Sequence, residues 1–326
     1  MSIKIGNAVL EYGLMLAPMA GVTDRASRKI CRECGAEYTV TEMVSAKAIH
    51  YNDAESLKLA AVYPDELPCA VQIFGHEPDI IAEAVEKICA SGTGPTAIDI
   101  NMGCPMKKIV SNGDGSALMK SPELAGEIIK AAVSVSSVPV TVKFRTGWNA
   151  ETKNAVRMAE AAEKNGAALV CVHGRTREEM YAPPVDRGAI AEVKRAVSLP
   201  VIANGGIFTA DDALFMLDRT GSSNENSSPS SFRQQTKSKP SFFGADGAAI
   251  HSPFSAIRAG TTLPPSLSKY TATLIVSHFA TSVKDSKTGS EKSKGSSSSC
   301  LYQPANALYP FCGASGREAQ PPLSNV

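Results

Sequence analysis

No run of 18 or more apolar residues occurs in the 326-residue sequence, which excludes a membrane-spanning helix. The opening segment, MSIKIGNAVLEYGLML, lacks the charged-then-apolar layout of a secretory signal. Both absences lead to the expectation of a cytoplasmic protein. A second cysteine pair at zinc-ligand spacing is also missing. Cys31 and Cys34 form one C-x-x-C on a predicted helix, and the eight cysteines are otherwise scattered, several (Cys89, Cys171) in apolar segments where a small buried hydrophobe suffices. No metal site is expected. Nor is there a charge excess: 33 Lys and Arg stand against 32 Asp and Glu, for a net +1. That charge is uneven. Residues 221–243 carry +2 and residues 251–326 carry +4, which leaves the rest of the chain acidic. An acidic body is not a whole-surface nucleic-acid binder, so any such contact must come from a local patch.

The composition is that of a globular protein, 43% hydrophobic and 20% charged. Short β-like runs recur at Leu14–Ala17, Tyr38–Glu42, Cys69–Ile73, Ala97–Ile100, Val140–Lys143, Leu169–Val172 and Val201–Ala203. Helical patterns lie between them, at Pro78–Ala90, Pro122–Val133, Ala150–Lys164, Asp186–Ala196 and Thr209–Leu217. Apolar strands alternating with helices predict a parallel sheet buried on both faces. With a further strand at Gly247–Ile250 the count reaches eight, which predicts a TIM (β/α)8 barrel over residues 1–250. A doubly wound open sheet is the alternative, but no G-x-G-x-x-G follows the first strand. Residues 221–240 interrupt the pattern with seven serines in twenty, a disordered-loop composition. Residues 251–326 form a Ser/Pro/Lys-rich tail without sustained helical periodicity, expected to be largely unstructured.

In such a barrel the active site is built at the carboxyl ends of the strands. The first expected strand end gives Pro18, Met19 and Ala20, followed by Thr23 or Asp24 as a helix cap. Later strand ends give Gln72, Asn101, Lys143, His173 and Asn204, with Gly205-Gly206 after the last. Each alone is weak evidence. Together they form a convergent polar ring in an apolar pocket. No acid–base carboxylate pair, Ser-His-Asp arrangement or metal cluster competes for the position. Hydrogen-bond donors plus one cation suit a flavin, whose N1–C2=O edge gains negative charge on reduction and which Lys143 could stabilise. The Gly205-Gly206 turn before a helix suits a phosphate held by backbone N–H groups.

The segments LAPMAGVTD, EMVSAKA, VQIFG, INMGCP with KKIVSNGDGSALM, VKFRTGW, VHGRTR and VIANGGI occur in that order. They resemble the signature of the tRNA-dihydrouridine synthase family over about residues 8–218, with a short return at GADGAAI (244–250). The resemblance implies an FMN-containing TIM barrel that reduces the C5=C6 bond of uridine in tRNA, with NADPH as reductant. It implies FMN contacts at Pro18, Met19, Ala20, Gln72, Lys143, His173, Asn204, Gly205 and Gly206, and Asn101 beneath the uracil. It implies Cys104 as proton donor; a thiol with an ordinary pKa of about 8.5 is largely protonated at pH 7. Lys107 (or Lys108), Arg145 and Arg175 are candidate contacts to the tRNA backbone. The target uridine must swing out of the folded RNA to be reached. The expected partners are tRNA and NAD(P)H, and the expected state is a monomer.

The resemblance has limits. The family's Gly-Arg pair after the eighth strand and its small helical domain have no counterpart in HSPF and the residues beyond. Asp114 stands where the family more often has alanine. The alternative to an active enzyme is therefore a truncated, non-catalytic remnant with weak or no FMN or tRNA binding.

Overall fold

The computed structural model describes residues 3–92 and 94–221. The chain opens with a hairpin of β1 (Ile3–Ile5) and β2 (Ala8–Leu10), paired antiparallel. Then follow α1 (Arg25–Glu33), β3 (Thr39–Val40), β4 (Val44–Ser45), α2 (Ala46–His50), α3 (Ala54–Leu59), β5 (Cys69–Phe74) and α4 (Pro78–Ala90). After β6 (Ala97–Met102) come α5 (Lys107–Val110), a 3-10 turn at Gly115–Lys120 and α6 (Pro122–Val135). The described part ends with β7 (Val140–Arg145), α7 (Ala155–Lys164), β8 (Leu169–His173), α8 (Arg187–Ala196), β9 (Val201–Asn204) and α9 (Ala210–Thr220).

The strands pair in parallel and in chain order, β3-β5-β6-β7-β8-β9, with β4 also on β5. A parallel bridge from Met15 to Tyr38 adds a position before β3. A doubly wound sheet reverses its strand order part-way; a barrel does not. Seven consecutive strand positions without a reversal are barrel winding, as the sequence predicts. The eighth strand, the low-complexity insertion and the tail lie outside the described residues, apart from Gly221, whose φ of +64° closes α9. No helix among the described residues is long and apolar enough to cross a membrane.

Side chains alternate between the two faces of each strand. Val71, Ile73, Ile98, Ile100, Val142, Val170 and Val172 face the helices, where they pack with Ile81, Val85, Ile128, Met158 and Ile190. The opposite face carries a second cluster: Tyr38, Val40, Ala70, Ala97 and Leu169, with Met15 and Ile202. Ile5 and Leu10 of the hairpin belong to that cluster. The hairpin turn sits beside the loops that lead into β6 and β7, since a Cβ on Gly6 would meet Pro139 at 3.3 Å and the Thr96 carbonyl at 3.5 Å. The hairpin therefore covers the amino-terminal end of the sheet interior and leaves the carboxyl ends for chemistry.

Helix starts follow their caps. Asp24 accepts from the Ser27 N–H, Asp186 from Ala189, and Thr209 with Asp212 forms a reciprocal capping box. Pro78 and Pro122 open α4 and α6 at the position where a missing N–H costs nothing. The expected helix over Ala150–Lys164 begins five residues later, because Thr146 O accepts from the N–H groups of Asn154 and Ala155 and holds the intervening chain as a loop.

Candidate active site

β5 and β6 bring three polar side chains together inside the sheet. Asp99, 5% exposed, accepts from Gln72 Nε2 at 2.6 Å and from Thr141 Oγ1 at 2.5 Å. Gln72 Oε1 in turn accepts from Asn101 Nδ2 at 2.9 Å. Asn101 Oδ1 then accepts two backbone N–H groups, Gly103 at 3.0 Å and Cys104 at 2.9 Å. A carboxylate can only accept, so Asp99 fixes which end of each amide points where. Burial raises the Asp99 pKa, and its hydrogen bonds from Gln72 and Thr141 and the charge of Lys143 oppose this only in part.

Cys104 stands just past β6 at the start of a loop that folds back on itself. Its carbonyl accepts from the Ser116 N–H at 3.1 Å and from Ser116 Oγ at 2.8 Å. Gly115, with φ +59°, has no room for a side chain: a Cβ there would lie 2.9 Å from the Cys104 carbonyl oxygen. Asp114, buried, pairs with His76 Nδ1 at 2.8 Å and ties this loop to the end of β5. Burial pushes the Cys104 thiol above its ordinary range; a hydrogen bond from the Met106 backbone and the charges of Arg145 and Lys143 partly oppose this. The thiol is therefore protonated at neutral pH.

β7 supplies Lys143, whose Nζ donates to Asn204 Oδ1 at 3.0 Å, and burial depresses its pKa. His173, at the end of β8, lies with its Nε2 at 3.1 Å from Arg175 Nη1. Burial first, then the charges of Lys143, Arg145 and Arg175, drive its pKa down to about 2. It is a neutral ring that uses Nε2 as acceptor. Gly205 (φ +104°) and Gly206 (φ +66°) follow β9 in a conformation that favours glycine. A Cβ on Gly205 would strike the His173 ring at 2.8 Å.

Two expected substrate contacts are placed differently. Arg145 is 2% exposed and gives its guanidinium to backbone carbonyls: Nε to Gly103 at 2.8 Å, Nη1 to Thr176 at 2.9 Å and to Met180 at 2.7 Å. Arg175 is also buried and donates from Nε to Ala182 O at 2.6 Å. Neither is presented as a surface cation for an RNA phosphate; each holds a loop. Lys107 and Lys108 are exposed on α5 beside the Cys104 loop. Pro18, Met19 and Ala20 form a turn closed by hydrogen bonds between Met19 and Thr23. The Met19 side chain packs away on Leu16, Cys31 and Ala36. Cys31 and Cys34 are both buried, and burial raises the Cys31 thiol to about 12, which suits a packing role.

Sequence reasoning missed Asp99, Thr141, Ser116 and the His76–Asp114 pair. Asp99 did leave a signal, since a lone carboxylate in the apolar run of a doubly buried strand needs a partner. The other three are polar residues whose partners are 12 to 42 positions away, and nothing local marks them.

A parallel sheet with barrel winding and a polar interior gathered around a protonated thiol places this chain among the β/α-barrel proteins with a site at the strand carboxyl ends. Within them it belongs to the dihydrouridine synthase (Dus) family, whose sequence profile matches residues 15–241. It is 44% identical over 220 residues to a probable tRNA-dihydrouridine synthase of Rickettsia conorii, covering 67% of this chain and 66% of that one. It is 43% identical over 220 residues to tRNA-dihydrouridine synthase B of Pseudomonas aeruginosa, covering 67% and 65%. The match thus spans just under two thirds of the length of these relatives. Among solved structures, an old yellow enzyme homologue from Zymomonas mobilis aligns with a TM-score of 0.45 at 12% identity over 68% of this chain and 85% of that one.

Proposed function

We propose that this protein reduces the C5=C6 bond of uridine in tRNA to 5,6-dihydrouridine, with FMN as cofactor and NADPH as the reductant that restores it. The observation that carries the reading is the Cys104 thiol, half-buried, protonated and fixed at the strand ends by Asn101, Ser116 and Gly115.

The residues fit a flavin. Lys143 is a partly buried cation with a depressed pKa, a group that gains from a nearby anionic edge. The neutral His173, Asn204 and the glycine pair beside them supply polar contacts and a backbone that a flat ring can approach. Lys143, His173, Asn204, Gly205 and Gly206 would hold the group, with Pro18, Met19 and Ala20 against it and Gln72 offering its remaining amide hydrogen. When bound, FMN supplies the hydride that uracil takes at C6.

This chain's own residues do the rest. Asn101 keeps the Cys104 loop in place, and its amide would lie beneath the uracil. Cys104 gives its proton to C5, so that hydride and proton together saturate the double bond, and the thiolate regains a proton from water. With the flavin bound, Lys143 would stabilise negative charge at its carbonyl edge. Lys107 and Lys108 meet the RNA backbone from outside.

The test is dihydrouridine content of unmodified tRNA incubated with purified protein, FMN and NADPH. Wild type should convert uridine, and Cys104→Ala should lose at least about 100-fold in turnover while retaining the yellow absorbance of bound flavin. A wild-type protein that binds flavin and leaves tRNA unchanged would overturn the reading. A colourless protein unresponsive to FMN would favour the remnant instead.

A further inference from the structure

Arg145 reaches sideways from the end of β7 to two loops that are remote in sequence. Its Nε holds the carbonyl of Gly103, the residue before the acid Cys104. Its Nη1 holds the carbonyls of Thr176 and Met180 in the loop after β8. The guanidinium carbon also lies 5.6 Å from the centre of the Tyr181 ring. Tyr181 is 65% exposed and Met180 is 36% exposed, so the far side of the second loop faces outward. We propose that Arg145 is a positioning residue that fastens the Cys104 loop to the 176–182 loop, so that the thiol and the outer rim carrying Met180 and Tyr181 move as one unit. This rests on the reading of Cys104 as the proton donor.

The chemistry calls for arginine. Three carbonyl oxygens on two loops need several N–H groups in a fixed planar fork, which an ammonium on a flexible stem does not provide. The second loop has its own supports, but among the described residues none of these hydrogen bonds reaches the Cys104 loop. Thr176 N–H donates to Glu179 Oε2 at 2.6 Å and Arg175 to the Ala182 carbonyl, but both bonds lie within the loop. The other cross-ties run from Thr146 N–H to the Arg175 carbonyl and from Arg177 and Glu178 N–H to the carbonyls of Gly147 and Trp148. All of these tie the loop to the segment after β7. The bond to Gly103 is what extends the tie to the acid. Charged groups acting on Arg145 are Arg175 and Glu179, with Cys104 and Tyr181 as titratable neighbours. Its own charge favours the thiolate of Cys104, together with that of Lys143. An RNA strand that settles on Met180 and Tyr181 would therefore act on the thiol's position through Arg145.

The experiment compares Arg145→Lys and Arg145→Gln with wild type as full-length protein. Three readouts are taken: trypsin cleavage after Arg177, alkylation of Cys104 by iodoacetamide followed by peptide mass across pH, and the steady-state constants for tRNA. Expected in both variants is a rise of about tenfold or more in cleavage and, at the high-pH plateau, in Cys104 alkylation. The alkylation midpoint of Arg145→Gln should lie above that of Arg145→Lys, since only lysine keeps the charge. Turnover should fall at least tenfold in both while KM for tRNA changes less than threefold. Cleavage rising without alkylation, or the reverse, would overturn the coupling. A raised KM at unchanged kcat would make Arg145 an RNA contact instead. If Arg145→Gln does not fold, Arg145→Lys decides alone, because it removes the fork and keeps the charge. A wild type inactive on tRNA would sink the functional reading, whereas cleavage and alkylation would still decide the clamp.

Discussion

Gln72 uses both ends of its amide inside the protein, donating to Asp99 and accepting from Asn101. That leaves one amide hydrogen for any ligand, so its expected part as a cofactor contact is narrower than a strand-end glutamine suggests. His173 shows the same inward turn in its titration. An unfolded chain takes up a proton on histidine below about pH 6.5, whereas the folded ring resists protonation until about 2. Between those limits the unfolded state binds more protons, so acidification through that window destabilises the fold. The expected cost is at most about 1.4 kcal/mol per pH unit for this one group. His173→Gln should remove that component, and urea midpoints of the two proteins between pH 7 and 5 would converge as pH falls. A constant difference across that range would show that the ring is not held neutral.

Among the elements, the loop from Cys104 to Ser116 is held tightly by its backbone. Gly115 has φ +59° and faces the Cys104 carbonyl, whereas a Cβ on Gly92, with φ +71° after α4, would meet nothing within 4 Å. Alanine at Gly92 should cost only the left-handed conformation, about 1 kcal/mol. Alanine at Gly115 should cost more than that and lower turnover at least tenfold, because the thiol loop must shift. Equal melting temperatures and equal turnover for the two variants would remove the loop's claimed rigidity. Elements bounded by strong punctuation were readable: Pro78–Ala90 appears with the predicted limits, and Thr209 caps α9 as its first residue suggests. α2 and α3 were not, because five- and six-residue helices between polar turns carry too little periodicity.

For the whole molecule, the proposed flavin would link binding to folding. FMN present at about a hundredfold its dissociation constant should stabilise the protein by about 2.7 kcal/mol, read as a rise in melting temperature. Lys143→Ala should shrink that rise, since it removes the partly buried cation that an anionic edge would satisfy. A melting temperature insensitive to FMN at every concentration would argue against the proposed cofactor.

Barrel winding, the strands and the gathering of Gln72, Asn101, Cys104, Lys143, His173 and Asn204 at strand ends were determined by the sequence alone. Hydrophobic runs and turn residues are local signals, and side chains at strand ends converge once the strands lie parallel. Only the tertiary structure decided what those side chains do with their polar atoms. Arg145 and Arg175 read as candidate contacts to the tRNA backbone, yet both are buried: Arg145 bonds carbonyls of two loops far apart in sequence, and Arg175 bonds a carbonyl of its own loop. Asp99 finds Gln72 and Thr141 only because three strands stand in one register. A charge or amide in a low-dielectric interior must be satisfied by whichever group the fold brings within hydrogen-bonding distance, and that pairing is set by packing across the sheet.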